Sequence, residues 1–189
     1  MASMLEVLDK KTIKLFQNIE LIIFDFDGVF TDNSVFIDQN GIESVRCSRS
    51  DGLGLRRLDE IDVHYCIVST ETNPVVTTRA EKLNIPVSQG HADKLPIVRE
   101  IVNTKKIKME NVVYVGNDIN DLDCLKEVGL PIVVADAFSE VVEAAKYRTK
   151  KLGGYGAVRE VCDLVYKYHI ISKRSESLKR NLKKDNYPV

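Results

Sequence analysis

The feature that most limits the fold of this chain is a series of short apolar runs that alternate with segments of helical spacing. Residues 21–26 (LIIFDF) form a nearly continuous apolar run of the kind found in strands covered on both faces, as in a parallel sheet. Similar runs recur at 63–68, 112–115 and 132–134. Between them, residues 53–58, 75–83, 95–102 and 122–128 carry apolar side chains at helical intervals. The alternation predicts an α/β fold with a mainly parallel sheet and helices on both faces.

Local punctuation sharpens this reading. Asn73-Pro74 offers a helix cap followed by proline at the first helical position, where a missing N–H is harmless, so a helix is expected to start there. One stretch departs from the alternation. Residues 34–46 (SVFIDQNGIESVR) read as two strand-like pieces around Asn40-Gly41, a pair that readily takes the positive φ angles of a tight hairpin turn. That hairpin is too short to be a cap domain over a site, and no other insertion is large enough. A site at the strand ends is then either open to solvent or covered by another subunit.

A chain of 189 residues suits one domain. We place it at residues 19–170, preceded by a weakly amphipathic extension over 1–18 and followed by a basic, polar tail over 171–189 whose usual state is solvated or disordered. The 27 basic and 28 acidic residues nearly cancel, which gives no sign of a nucleic-acid or membrane partner. Cys47, Cys66, Cys124 and Cys162 are scattered without the paired spacing of zinc or dithiol sites, and read as reduced structural thiols. No leader-like segment or apolar run of about 20 residues is found, so a cytoplasmic location is expected.

The chemistry concentrates at predicted strand ends, where open α/β sheets bind ligands. Asp25-Phe26-Asp27-Gly28 closes the first strand, and Gly28 lets the chain turn so that both carboxylates can face one cleft. Paired acids there need a cation, and Mg²⁺ suits oxygen ligands beside a phosphate. An Asp-x-Asp-Gly turn also serves purely conformational ends, so its weight comes from the residues downstream of it. The second strand ends in Ser69-Thr70, whose hydroxyl or backbone N–H could hold a phosphate oxygen. Lys94 offers a fixed positive charge, and the third strand runs into Gly116-Asn117-Asp118-Ile119-Asn120-Asp121.

This ordered set resembles the haloacid dehalogenase superfamily of phosphohydrolases from about residue 19 to 168, which implies a three-layer Rossmann-like fold. The resemblance implies that Asp25 is the nucleophile forming an aspartyl-phosphate and Asp27 the general acid and base. Ser69 and Lys94 would bind the phosphoryl group, and Asp25, Asp27, Asn117, Asp118 and Asp121 would hold Mg²⁺. Two positions depart from the pattern: Thr70 replaces a glycine, and Asn117 stands where most active members have aspartate.

Within the superfamily the chain is similar to the capless sugar-acid phosphatases, which include 3-deoxy-D-manno-octulosonate 8-phosphate and nonulosonate 9-phosphate phosphatases and the phosphatase-like domain of some acylneuraminate cytidylyltransferases. The matching segments are 34–46, 50–56, 93–95, 128–130 and 153–160. This implies a homotetramer joined through hairpins, and substrate contacts at Ser48, Asp51, Gly52, Arg56 and Arg79. Glu71, paired with a lysine matched by Lys82, favours a nine-carbon sugar acid of the sialic acid type over the eight-carbon one. The rival from another class is a non-catalytic oligomerisation module acting beside a sialic acid synthetase. The joint presence of Asp25, Asp27, Ser69 and Lys94 favours the enzyme.

Overall fold

A computed structural model describes the backbone of residues 8–184 and the side chains of residues 8–175. Its centre is a six-stranded, wholly parallel sheet built from β1 (Leu21–Phe24), β4 (His64–Val68), β5 (Val87–Ser88), β6 (Val112–Gly116), β7 (Leu130–Val133) and β8 (Tyr147–Arg148). The spatial order is β5-β4-β1-β6-β7-β8. All four residues of β1 are buried, as are those of β7, which explains why both read as unbroken apolar runs. The two-residue strands β5 and β8 carry no such run and went unpredicted.

From β1 the chain steps outward through α2 (Asp51–Asp59) to β4 and through α3 (Val75–Leu83) to β5. It then returns through α4 (Leu95–Thr104) to β6, and continues through α5 (Leu122–Glu127) and α6 (Ser139–Val142) to β7 and β8. Because parallel crossovers are right-handed, the reversal of direction puts α2 and α3 on one face and α4 and α5 on the other. The final helix α7 (Ala157–Lys184) packs along α2 and along α1 (Lys10–Gln17). The reversal also opens a crevice at the carboxyl ends of β1, β4 and β6.

Short α1 illustrates how packing supplements propensity. Eight residues make a marginal helix in water. Here the Asp9 carboxylate accepts the N–H groups of Lys11 and Thr12, and the fully buried Phe16 packs edge-on to Tyr147 at 5.7 Å and beside Tyr168 at 5.9 Å. Burying one such ring contributes about 1.5–3 kcal/mol. Residues 1–7 of the expected extension lie outside the described residues.

Two details differ from the sequence reading. Helix α7 continues through position 171 to Lys184, so the backbone stays helical where the composition turns basic; residues 185–189 lie outside the described residues. The hairpin of β2 (Thr31–Ile37) and β3 (Glu43–Cys47) is closed by a longer loop than a two-residue Asn-Gly turn. Asp38 N donates to Ile42 O, and the Asp38 carboxylate accepts the N–H groups of Asn40 and Ile42, an Asx arrangement that draws Asp38 into the turn. Asn73 acts as anticipated, its Oδ1 accepting from Val75 N at the start of α3.

The four cysteines are free. Burial pushes the Cys66 and Cys124 thiols up to about 12, where they are inert. Among the described residues no helix is long and apolar enough to cross a membrane.

Candidate active site

The carboxyl end of β1 supplies the centre. Asp25 N donates to Val115 O at 2.9 Å, holding Asp25 at the sheet end, and its side chain is nearly fully buried. Oδ1 accepts from Phe26 N at 2.7 Å, and Lys94 Nζ stands 2.8 Å from Oδ2. The chain then turns tightly, with Phe30 N donating to Phe26 O at 2.8 Å and Gly28 at a φ of +73°. Thr31 pins this turn. Its hydroxyl accepts from Gly28 N at 3.1 Å and donates to Asp27 Oδ1 at 3.4 Å. Thr31 was not singled out from the sequence, although a threonine four residues after the acid was the available signal.

Lys94 comes from the residue that precedes α4, and its ammonium is fully enclosed between Asp25 and Asp121, 2.8 Å from each. Burial alone would lower its pKa, but these two carboxylates overcome that and raise it, so it remains a cation. Burial, followed by the charge of Asp121, pushes the Asp25 carboxyl up to about 7, against the pull of Lys94. Asp27 is also raised, by burial first and the charge of Glu71 second. An acid whose affinity for a proton is raised beside a nucleophile is suited to exchange a proton with a leaving group.

Asp121, expected among the metal ligands, is tied into the chain around it. It is fully buried, and both its oxygens are engaged within the chain. Oδ1 accepts from Lys94 Nζ and from Tyr114 Oη at 2.7 Å, while Oδ2 accepts from Asn117 N at 2.8 Å and Asp118 N at 3.3 Å. Asp118 likewise caps the adjoining short turn, its carboxylate accepting from Ile119 N. Among the described residues no three acids, histidines or cysteines converge as a metal site.

The remaining groups fit an oxygen-ligated cation. Asn117 is buried, and its Oδ1 has no hydrogen-bond partner, an expensive state for an amide oxygen unless something positive meets it. Its amide lies against the Asp25–Gly28 turn so closely that a Cβ on Gly28 would stand 2.0 Å from Asn117 Nδ2. Asp25, Asp27 and Asn117 Oδ1 thus form a donor set of the hard-oxygen kind. The glycine loop before α7 closes on the same turn: Gly154 N donates to Val29 O, and a Cβ on Gly153 would stand 1.9 Å from Gly28 O.

Ser69 leaves the sheet beside this centre, since Ile67 pairs with Phe24 in register. It is buried, and its hydroxyl accepts from Glu71 N at 3.1 Å. Thr70, in place of glycine, accepts from Asn120 Nδ2 at 3.4 Å and so joins this loop to the one after β6.

The other expected contacts divide into groups. Arg79 Nη2 donates to Ser48 O at 2.7 Å, and the Ser48 hydroxyl lies 2.7 Å from that of Ser50. Asp51 is buried with neither carboxylate oxygen hydrogen-bonded, and burial pushes its carboxyl up to about 7 while the nearby Arg79 opposes the shift. Gly52 lies against α3, where an added Cβ would stand 3.0 Å from Leu83 Cδ2. Arg79 and Lys82 line a groove of about 690 Å³ between the hairpin and α3, whereas Arg56 is exposed on α2 and lines no part of it. Beside Asp27 a cavity of about 240 Å³ is walled by Asn33, Val35, Glu43, Val45 and Glu71. Glu71 does not pair with Lys82 as the resemblance implied: its Oε1 accepts from Thr72 N and Asn73 N, closing its own loop.

Comparisons with known proteins identify the family. Residues 58–159 match the family described as haloacid dehalogenase-like hydrolase. The 3-deoxy-D-manno-octulosonate 8-phosphate phosphatase of Yersinia pestis is 38% identical over 149 residues, covering 78% of this chain and 80% of its own. Among solved structures, a HAD family hydrolase from Streptomyces avermitilis is 44% identical with a TM-score of 0.76, over 78% of this chain and 84% of that one. The 3-deoxy-D-manno-octulosonate 8-phosphate phosphatase of Moraxella catarrhalis, solved in complex with magnesium ion, phosphate ion and a KDO molecule, is 29% identical with a TM-score of 0.82, over 89% and 97%.

Proposed function

This chain belongs to the haloacid dehalogenase-like hydrolases, and from that premise we propose that it is a Mg²⁺-dependent phosphatase of phosphorylated 3-deoxy sugar acids. The observation that carries the reading is the buried Lys94 ammonium held against Asp25 at the end of β1, with the unpartnered Asn117 amide oxygen beside the same turn. An Asp25 carboxylate oxygen attacks phosphorus, forming an acyl phosphate as the bond to the sugar oxygen breaks. Asp27 gives its proton to that oxygen. In the second step Asp27 takes a proton from water as the water oxygen attacks phosphorus and releases Asp25. Lys94 offsets the negative charge that gathers around Asp25, and Ser69 holds a phosphoryl oxygen. Asp25, Asp27 and Asn117 would hold Mg²⁺, which would supply positive charge that favours the ionised nucleophile and offsets the charge of the phosphoryl oxygens.

The substrate we assign is 3-deoxy-D-manno-octulosonate 8-phosphate, the compound named for relatives that share 37–38% of their residues with this chain over about four-fifths of both lengths. The groove beside Arg79 and Lys82 offers cations for a sugar carboxylate, and Arg79 also donates to Ser48 O. A nonulosonate 9-phosphate is the second reading. Glu71 favours it, because its carboxylate faces the cavity beside Asp27, where a longer polyhydroxyl chain would donate hydrogen bonds. Comparing kcat/KM for the two phosphates tests the assignment, and a higher value for the nine-carbon compound would reverse it.

The same reading makes the working form a homotetramer. In one copy the hairpin exposes Val35, Phe36, Ile37 and Ile42 over its two faces, apolar side chains suited to pairing with other copies and to covering a site that has no cap of its own.

A further inference from the structure

Tyr114 lies in the middle of β6, between Val113 and Val115, and is fully buried. A strand covered on both faces could carry phenylalanine there with nearly the same volume, so the hydroxyl calls for its own reason. It donates to Asp121 Oδ1 at 2.7 Å, and that oxygen also receives Lys94 Nζ at 2.8 Å. The other Asp121 oxygen is occupied by the N–H groups of Asn117 and Asp118. Asp121 is therefore shared between two tasks: Oδ1 sets the pull on Lys94, and Oδ2 shapes the loop that carries Asn117.

An oxygen that accepts from two donors holds each less strongly than it would hold one. With the phenol in place, Asp121 fixes the Lys94 ammonium without drawing it away from Asp25. With the phenol removed, the whole of Oδ1 is left to Lys94, and the ammonium is biased toward Asp121 and away from an arriving phosphate. We propose that Tyr114 is a positioning residue for phosphoryl transfer, acting through Asp121 to hold the Lys94 ammonium facing Asp25. This inference rests on the proposed phosphatase reading.

The test is Tyr114→Phe in the full chain, read by kcat, by the dependence of rate on Mg²⁺, and by calorimetric binding of inorganic phosphate in the presence of Mg²⁺. Loss of one hydrogen bond to a charged group should lower kcat and weaken phosphate binding by about tenfold each. The Mg²⁺ concentration for half-maximal rate should stay within about twofold, because the bonds to Oδ2 are untouched. Unchanged kcat and phosphate affinity, whatever happens to Tm, would overturn the proposal, since a merely structural hydroxyl would move Tm alone. If Tyr114→Phe does not fold, 3,5-difluorotyrosine at position 114 keeps the ring in place with a stronger donor. Phosphate affinity should then rise, and an unchanged affinity would be the overturning result. Phosphate binding is read without turnover, so a wild type that binds phosphate but hydrolyses no sugar phosphate would defeat the phosphatase reading while the role of Tyr114 is still measured.

Discussion

Asp25 and Asp121, two buried carboxylates, are held on one ammonium: Lys94 Nζ lies 2.8 Å from each. Removing that cation leaves like charges enclosed without compensation. Lys94→Met should therefore abolish phosphate release and destabilise the fold by about 3 kcal/mol, because breaking a buried pair strands its partners. Thermal unfolding and a phosphate assay on the same preparation check both. A variant with native stability would mean that the two acids are not charged partners of Lys94.

Asn117 presents an oxygen without a charge where the resemblance to the superfamily implies aspartate. Asn117→Asp should lower the Mg²⁺ concentration for half-maximal rate by about tenfold, since a carboxylate at ligand distance attracts the cation more strongly than an amide. Asn117→Ala should raise it by a similar factor. Titrating Mg²⁺ against initial rate distinguishes the series, and three identical curves would remove Asn117 from the metal site.

Asp51 gives a pH signature in stability. Burial pushes its carboxyl up to about 7, with Arg79 opposing. Between about pH 4 and 7 the folded chain keeps a proton that the unfolded chain releases, so this group favours folding below pH 4 and that contribution is lost as pH rises through 7. Asp51→Asn, uncharged throughout, should unfold about 5 °C above the wild type at pH 8 and show little advantage at pH 4. A pH-independent difference would contradict this reading of the buried acid.

The hairpin carries the assembly prediction. Phe36 is 62% exposed on the hairpin. Phe36→Asp should shift the chain from tetramer to monomer in light scattering and raise KM, while the fold itself stays intact. A wild type that is already monomeric would contradict the hairpin interface.

The sheet and the motif residues were legible because their physics is local. A strand buried on both faces must be apolar throughout, as residues 21–24 are, and the acids beyond its last residue fall by topology at the ligand-binding end. The two-residue strands β5 and β8 were not legible, since no pattern can repeat over so short a span. Nor was the role of Asp121 or Tyr114. Both are chemically ordinary in sequence, and only the approach of α4 to the end of β6 shows that one carboxylate serves Lys94, Tyr114 and the Asn117 loop together. The basic composition after residue 170 suggested a tail because it has little apolar face, yet α7 carries its backbone helix onward to Lys184. The partners of Glu71 were not legible either: its Oε1 accepts from two N–H groups of its own loop.

The most direct measurement is phosphate release from 3-deoxy-D-manno-octulosonate 8-phosphate by the wild type and Asp25→Asn, each with Mg²⁺ and with chelator. The proposed chemistry requires rapid release by the wild type with Mg²⁺ and none above background in the other three conditions. Equal release by Asp25→Asn, or a wild type inert on both the eight-carbon and nine-carbon phosphates, would contradict it.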